Sequence, residues 1–159
     1  MIEKERKFLP IESMSNETVL IYKNSSKLIK QAYLLLGNNG QQLRVRLFNN
    51  KAYICYKYQI NSNSKEEFEY EIPYNDGIKL YNSSNLKLEK YRYSDDGNGE
   101  FKIDIDFYKN GLMIIELEYV CSDEKLDKYI KLMPYTIGKE VTGLSEYSNI
   151  TLAKELSKW

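Results

Sequence analysis

The sequence predicts a mainly β fold of the α+β class, a closed eight-stranded antiparallel β-barrel with a few flanking helices. Three observations predict it. Apolar residues recur with a period of two, not 3.6, along eight segments. Turn-forming residues separate most of these segments. Six of the segments also carry charge at alternate positions, with a regularity that a solvated sheet face does not need. At 159 residues the chain suits one domain, 1–159, with no repeat, linker or low-complexity stretch.

The first strand, Ile2–Leu9, places Glu3, Glu5 and Lys7 on one face, because alternate residues of a strand point the same way. Glu12–Tyr22 is a weak helix candidate after Pro10. Lys30–Leu36 follows and ends at Gly37-Asn38-Asn39-Gly40. Gln41–Phe48 sets Arg44 and Arg46 opposite Leu43, Val45 and Leu47, and stops at Asn49-Asn50. Ala52–Gln59 carries Cys55 and Lys57. After a turn at Asn61–Ser64, Glu66–Ile72 sets Glu67, Glu69 and Glu71 opposite Phe68, Tyr70 and Ile72. Asn75–Tyr81 is a second weak helix, with Gly77 inside it.

Leu86–Tyr93 puts Lys90 and Arg92 on a common face, and Asp95–Gly99 turns the chain. Glu100–Tyr108 sets Asp104 and Asp106 opposite Ile103 and Ile105. Asn110-Gly111 suits a tight hairpin into Leu112–Val120, where Glu116 and Glu118 oppose Ile115 and Leu117. Ser122–Leu132 is the best-supported helix: Ser122 and Asp123 can cap it, and Leu126, Tyr129, Ile130 and Met133 share a face. Ser145–Trp159 forms a last helix, which either plugs one end of the barrel or packs outside it.

Any one charged strand face reads most simply as solvated. The joint pattern reads differently, because same-sign pairs on one strand are unfavourable unless they converge on a space holding counter-ions. Closing the strands provides that space, with apolar faces packing outward against helices. Clustered Lys and Arg then call for an anion and clustered carboxylates for cations; a polyphosphate with bound metal satisfies both.

Composition narrows the chemistry. The 23 basic and 23 acidic residues cancel, so no basic surface for nucleic acid is expected. No apolar run reaches the ~18 residues of a membrane span. The opening MIEKERKFLP is too charged for a signal peptide, which together with Cys55 and Cys121 in strand contexts predicts reduced thiols and a cytoplasmic protein. The chain has no histidine. Carboxylates, lysines, arginines and tyrosines are left to do any chemistry, with hard cations such as Mg²⁺ or Mn²⁺.

These residues resemble the CYTH superfamily, the triphosphate tunnel metalloenzymes. The resemblance runs through Glu3-x-Glu5-x-Lys7, then Gln31, Tyr33 and Leu34, then Arg44-x-Arg46 and Lys57. It continues through Glu67 to Tyr70, Lys90-x-Arg92, Asp104 and Glu116-x-Glu118, and ends with Gly138, Glu140, Val141, Thr142, Tyr147, Asn149, Leu152 and Ala153. It covers nearly the whole chain in order. The chain departs from the family in having Lys65 where an arginine is common, and Phe101-Lys102 where the family has Trp-Glu.

The resemblance implies a tunnel that binds triphosphate and two divalent cations, Mg²⁺ or Mn²⁺. It assigns metal binding to Glu3, Glu5, Asp104, Glu116 and Glu118, with Glu67 and Glu69 as second choices. It assigns phosphate binding to Lys7, Arg44, Arg46, Lys57, Lys90 and Arg92. Water attack on the terminal phosphorus would involve Glu5, Lys7 and Glu118. The implied activity is hydrolysis of inorganic triphosphate, extending to nucleoside triphosphates, with a homodimer left open. Adenylate cyclase of the same superfamily is the alternative, although bacterial members typically carry a His-Phe motif that a histidine-free chain cannot hold. Thiamine triphosphatase and a non-catalytic polyphosphate sensor complete the set.

Overall fold

A computed structural model describes residues 2–133 and 136–157. In chain order the elements are β1 Ile2–Pro10, α1 Asn16–Asn24, β2 Lys27–Leu36, β3 Gln42–Phe48, β4 Lys51–Gln59 and β5 Ser64–Ile72. There follow α2 Tyr74–Ser83, β6 Lys87–Asp95, β7 Phe101–Tyr108, β8 Met113–Tyr119 and α3 Asp123–Lys131. The last elements are β9 Ile137–Glu140, a 3₁₀ turn at Ser145–Tyr147, and α4 Asn149–Leu156. Among the described residues, nine strands make one antiparallel sheet in the order β5-β4-β3-β2-β6-β7-β8-β1-β9. β1 also reaches back to β5 through the pairs Ile2–Glu66, Glu3–Lys65 and Lys4–Ser64.

The eight expected strands are all present, with small shifts at their ends. The ninth was not expected. β9 has four residues, Ile-Gly-Lys-Glu, too few to display an alternation. It exists because it can lie against the irregular end of β1, where the register shifts between Phe8 and Pro10. A Cβ on Gly138 would sit 2.7 Å from the Pro10 carbonyl oxygen, so only glycine allows that approach.

Helix starts follow their caps. Ser15 accepts from the Thr18 amide, so α1 begins at Asn16 and not at Glu12. Ser148 accepts from the Thr151 amide, so the expected helix over Ser145–Trp159 splits into the 3₁₀ turn and α4. Its final two positions, Lys158 and Trp159, lie outside the described residues.

The apolar face of β1, β7 and β8 builds the larger core. Phe8, Ile105, Phe107, Ile115 and Leu117 pack against Leu126 of α3, with Met14, Val19 and Tyr22 at the edge. α2 lies on β3 and β4. A side chain on Gly77 would collide with the Ala52 methyl and press on Leu47. Alanine normally favours a helix by up to about 1 kcal/mol over glycine, but here overpacking costs about 1–3 kcal/mol. Gly77→Ala is therefore expected to lower the urea midpoint, whereas a rise would mean that α2 is free to shift.

α4 packs on the opposite, charged side of the sheet. Its Leu152 and Ala153 contact Tyr33, Leu88, Tyr108 and Ile114. By strand parity these residues share a face with Gln31, Lys90, Asp106 and Glu116. The C-terminal segment thus covers one end of the charged face, the first of the two placements open to the sequence.

Candidate active site in the charged cavity

The charged faces line a cavity of about 750 Å³. Of the residues assigned above, Glu3, Glu5, Lys7, Arg44, Arg46, Lys57, Glu67, Glu69, Lys90, Arg92, Glu116 and Glu118 all line it. They come from β1, β3, β4, β5, β6 and β8, brought together by period-two alternation in a curved sheet. Asp104 is buried beneath the cavity wall. Its carboxylate accepts from Ser94 Oγ at 2.6 Å and Arg92 at 2.8 Å, and Lys102 Nζ lies 3.2 Å away.

One side of the cavity is an ion cluster with little capacity to spare. Arg92 donates to Asp104, to both oxygens of Asp106 and to Glu116, at 2.6–2.8 Å. Lys90 Nζ donates to Asp106 at 2.6 Å and to Asn149 Oδ1 at 3.4 Å. Tyr108 donates to the same Asn149 oxygen at 2.8 Å, tying α4 to the cluster. Lys90 and Asp106 are almost wholly buried.

The opposite side is less satisfied. Arg44 contacts Glu67 and Arg46 contacts Glu69, each at 3.5 Å. Lys57 lies 3.7 Å from Glu3 and 3.6 Å from Glu67. The Nε atoms of Arg44 and Arg46 are buried and have no hydrogen-bond partner among the described residues. Buried polar groups are normally paired, so two orphaned guanidinium donors side by side are unusual. Burial, with Arg44 and Arg92 nearby, pushes the Arg46 guanidinium below its ordinary pKa.

The carboxylates divide in the same way. Burial, only partly offset by Lys57, pushes Glu3 up to about 8, and its Oε2 also has no hydrogen-bond partner among the described residues. Burial likewise acts on Glu5, but Lys7 and Lys65 outweigh it and bring that carboxyl down to about 2. Lys7 Nζ lies 3.4 Å from Glu116 and 3.9 Å from Glu5. Glu116 is held well below the ordinary carboxylate range because Lys7 and Arg92 overcome its burial. Glu118, exposed at the end of β8, is raised by partial desolvation.

Several residues in or beside the cavity escaped the sequence reading. Cys55 Sγ and one carboxylate oxygen each from Glu67 and Glu69 lie within 4.8 Å of one another, a set that can hold a metal ion. Cys55 is buried and donates to Glu67 at 3.2 Å, and burial pushes its thiol up to about 11. Its face was legible, since it alternates with Lys57. Lys65 pairs with Glu5; the comparison with the family arginine pointed to it. Ser145, Ser148 and Asn149 line the cavity only because the 3₁₀ turn and α4 fold onto it.

The sequence matches the CYTH domain family over residues 1–131. It is 33% identical over 140 residues to an inorganic triphosphatase of Acetivibrio thermocellus, covering 84% of this chain and 85% of that protein. Among solved structures it resembles the inorganic triphosphatase NE1496, with a TM-score of 0.59 at 24% identity over 95% of this chain and 93% of that one. It also resembles the PH1819 protein of Pyrococcus horikoshii OT3, with a TM-score of 0.64 at 18% identity over 99% of both chains. At these identities the structural likenesses speak for the fold alone. The family match, the curated relative and the order of charged pairs around the cavity agree: the chain belongs to the CYTH superfamily of triphosphate tunnel metalloenzymes.

Proposed function

We propose that the charged faces close into a tunnel in which this protein hydrolyses the terminal phosphate of inorganic triphosphate. The β1–β5 pairing supports closure, since it joins strands otherwise separated by the rest of the sheet. One observation carries the reading: Arg44 and Arg46 hold buried Nε donors that have no hydrogen-bond partner among the described residues beside a cavity, and burial together with its cationic neighbours holds Arg46 below its ordinary pKa. An anion of high charge relieves both. The activity of the Acetivibrio thermocellus relative agrees with this choice.

The donor set fits a divalent cation of the Mg²⁺ or Mn²⁺ type. Glu3, Glu5, Glu116 and Glu118 offer carboxylate oxygens to the cavity, and the raised pKa of Glu3, which Lys57 at 3.7 Å offsets only in part, reports acidic groups crowded in a buried place. Two such ions, when bound, supply charge neutralisation for the phosphates and lower the pKa of water. The protein's own groups do the rest. Arg44, Arg46, Lys57 and Lys7 hold phosphate oxygens. Lys90 and Arg92, committed to Asp104, Asp106 and Glu116, hold the acidic wall in place. Glu118 or Glu5 takes the proton from the attacking water, and Lys7, between Glu5 and Glu116, steadies the charge that develops on phosphate.

The experiment is release of phosphate from inorganic triphosphate, ATP and thiamine triphosphate with Mg²⁺ or Mn²⁺. Release from inorganic triphosphate is expected. Cyclic AMP without phosphate release would establish a cyclase, and binding without turnover a sensor. Arg44→Ala combined with Arg46→Ala is expected to weaken triphosphate binding about 100-fold or more, by analogy with truncating buried charge partners. Calorimetry at constant Mg²⁺ measures this; unchanged affinity would remove these arginines from the phosphate site.

A further inference from the structure

We propose that the outer face of the β2–β3–β4–β5 wall is a self-association surface, through which two copies of this chain pack sheet against sheet. This is the side of the wall away from the cavity, so association and triphosphate chemistry are separable.

The strand register builds the surface. Arg44, Cys55 and Glu69 stand beside one another across β3, β4 and β5 and face the cavity side, so their sequence neighbours turn outward. One outward row runs Leu35, Leu43, Tyr56 and Phe68. Leu35 joins it because the register of β2 shifts between Tyr33 and Leu35; unbroken alternation would turn it inward. The row on one side of it runs Val45, Ile54 and Tyr70. The row on the other side holds Tyr58 and, past Glu66, Ile2 of β1. The rows touch, since the Tyr56 and Tyr58 ring centroids are 6.2 Å apart. α2 covers the far end of this face, at Leu47 and Ala52. Beyond it Ile2, Leu35 and Tyr70 are 63–67% exposed, and Tyr56, Tyr58 and Phe68 36–41%. These six residues leave roughly 700 Å² open, above the ~300–600 Å² of the largest apolar patch on a typical monomer. That is close to the ~800 Å² each partner brings to a stable interface.

The chemistry of the face selects a second copy as its occupant. A two-fold contact sets a surface against itself, so the surface must be complementary to itself. Leucine, isoleucine and phenylalanine meet that condition, and a tyrosine hydroxyl both donates and accepts. A surface charged with one sign does not. The strand that carries Phe68 and Tyr70 also holds four glutamates and one lysine, which opposes an anionic lipid surface or a nucleic acid. The same glutamates oppose association through the edge of β5. Pairing that edge with its own copy, inner face beside inner face, sets Glu67, Glu69 and Glu71 against their counterparts. Face-to-face packing, with sheets about 10 Å apart, leaves them on the far side.

The test is sedimentation of the full chain at about 1–100 µM, where even a weak interface of this size holds. A mass twice the 18.8 kDa of one chain is expected. Leu35→Lys combined with Tyr70→Lys sets like charges across the contact and is expected to raise the dimer Kd about 100-fold or more. Leu132→Lys, at the exposed end of α3, is the control and is expected to stay within about twofold. Nitration of wild-type tyrosines gives a second measurement that needs no variant. Dilution is expected to make Tyr56, Tyr58 and Tyr70 more reactive, with Tyr91 of β6, 47% exposed, unchanged. A single-chain mass throughout, a dimer that the double variant leaves intact, or tyrosine reactivity indifferent to dilution would overturn the proposal. So would a monomer that sediments with phosphatidylcholine vesicles, which would give the face to lipid instead.

Discussion

Replacing Asp106 with alanine is expected to lower the stability of the fold by about 3–5 kcal/mol, measured as a shift of the urea midpoint at pH 7. Asp106 is fully buried on the inner face of β7, where it accepts from Lys90 at 2.6 Å and from Arg92 through both of its oxygens. Removing it leaves an ammonium with one hydrogen-bond partner among the described residues, Asn149, and a guanidinium without its bidentate acceptor. The cost is that of stranding charge out of water, not the net worth of the ion pair.

The pH dependence has two limbs. Burial raises Asp106, but Arg92 and Lys90 outweigh it, so its folded pKa lies below the ordinary value. The same holds for Glu5, brought from 4.5 to about 2. Stability from these groups is complete above the unfolded pKa and is lost as pH falls from about 4.5 towards 2. Lys90 behaves in the opposite direction: burial and Arg92 push it from 10.5 down to about 8. Between those values the unfolded chain binds more protons, so stability rises with pH. In Asp106→Ala, Lys90 loses its attracting carboxylate and its pKa drops further. The deficit of the variant is therefore expected to narrow as pH rises from 7 through about 8, and to stay level above that. A constant deficit would mean that Lys90 stays charged beside another partner.

The acidic limb of that network was legible in the sequence, and its pairing was not. Alternation placed Lys90, Arg92, Asp104 and Asp106 on inner faces, because a period of two is visible wherever a strand runs for seven residues or more. What alternation cannot tell is which groups bind a ligand and which bind each other. The family resemblance makes Arg92 a phosphate ligand, yet the β6–β7 register sets it opposite Asp106 and Ser94 opposite Asp104. Lys102, which stands where the family has a glutamate, sits 3.2 Å from Asp104. β9 stayed hidden because four residues carry too little period. The end of the cavity under α4 was also hidden, since a helix with Ile150, Ala153 and Leu156 on one face can pack on any apolar surface; Tyr33, Leu88 and Ile114 provided one on the charged side.

Glu118→Gln is expected to reduce metal-dependent triphosphate turnover by about 10²-fold or more while leaving the fold intact. The two halves of the prediction have separate causes. Glu118 makes no direct hydrogen bond or ion pair with a described residue, so its loss strands nothing, and exposed substitutions of this kind change stability by about 0.5 kcal/mol or less. Its carboxyl is nonetheless raised by partial desolvation, with Asp104, Glu67 and Glu5 adding repulsion that Lys102 offsets in part. A carboxylate that is unencumbered and raised above its ordinary pKa is suited both to bind a cation and to accept a proton from water. Glu116 offers the contrast. It lies two residues away on the same face but is engaged by Arg92 at 2.7 Å and Lys7 at 3.4 Å. Glu116→Gln should therefore lose both stability and activity, whereas Glu118→Gln should lose activity alone. Thermal melting and steady-state phosphate release on the two variants separate these outcomes. Normal turnover by Glu118→Gln would remove that residue from the site and leave Glu5 as the remaining base.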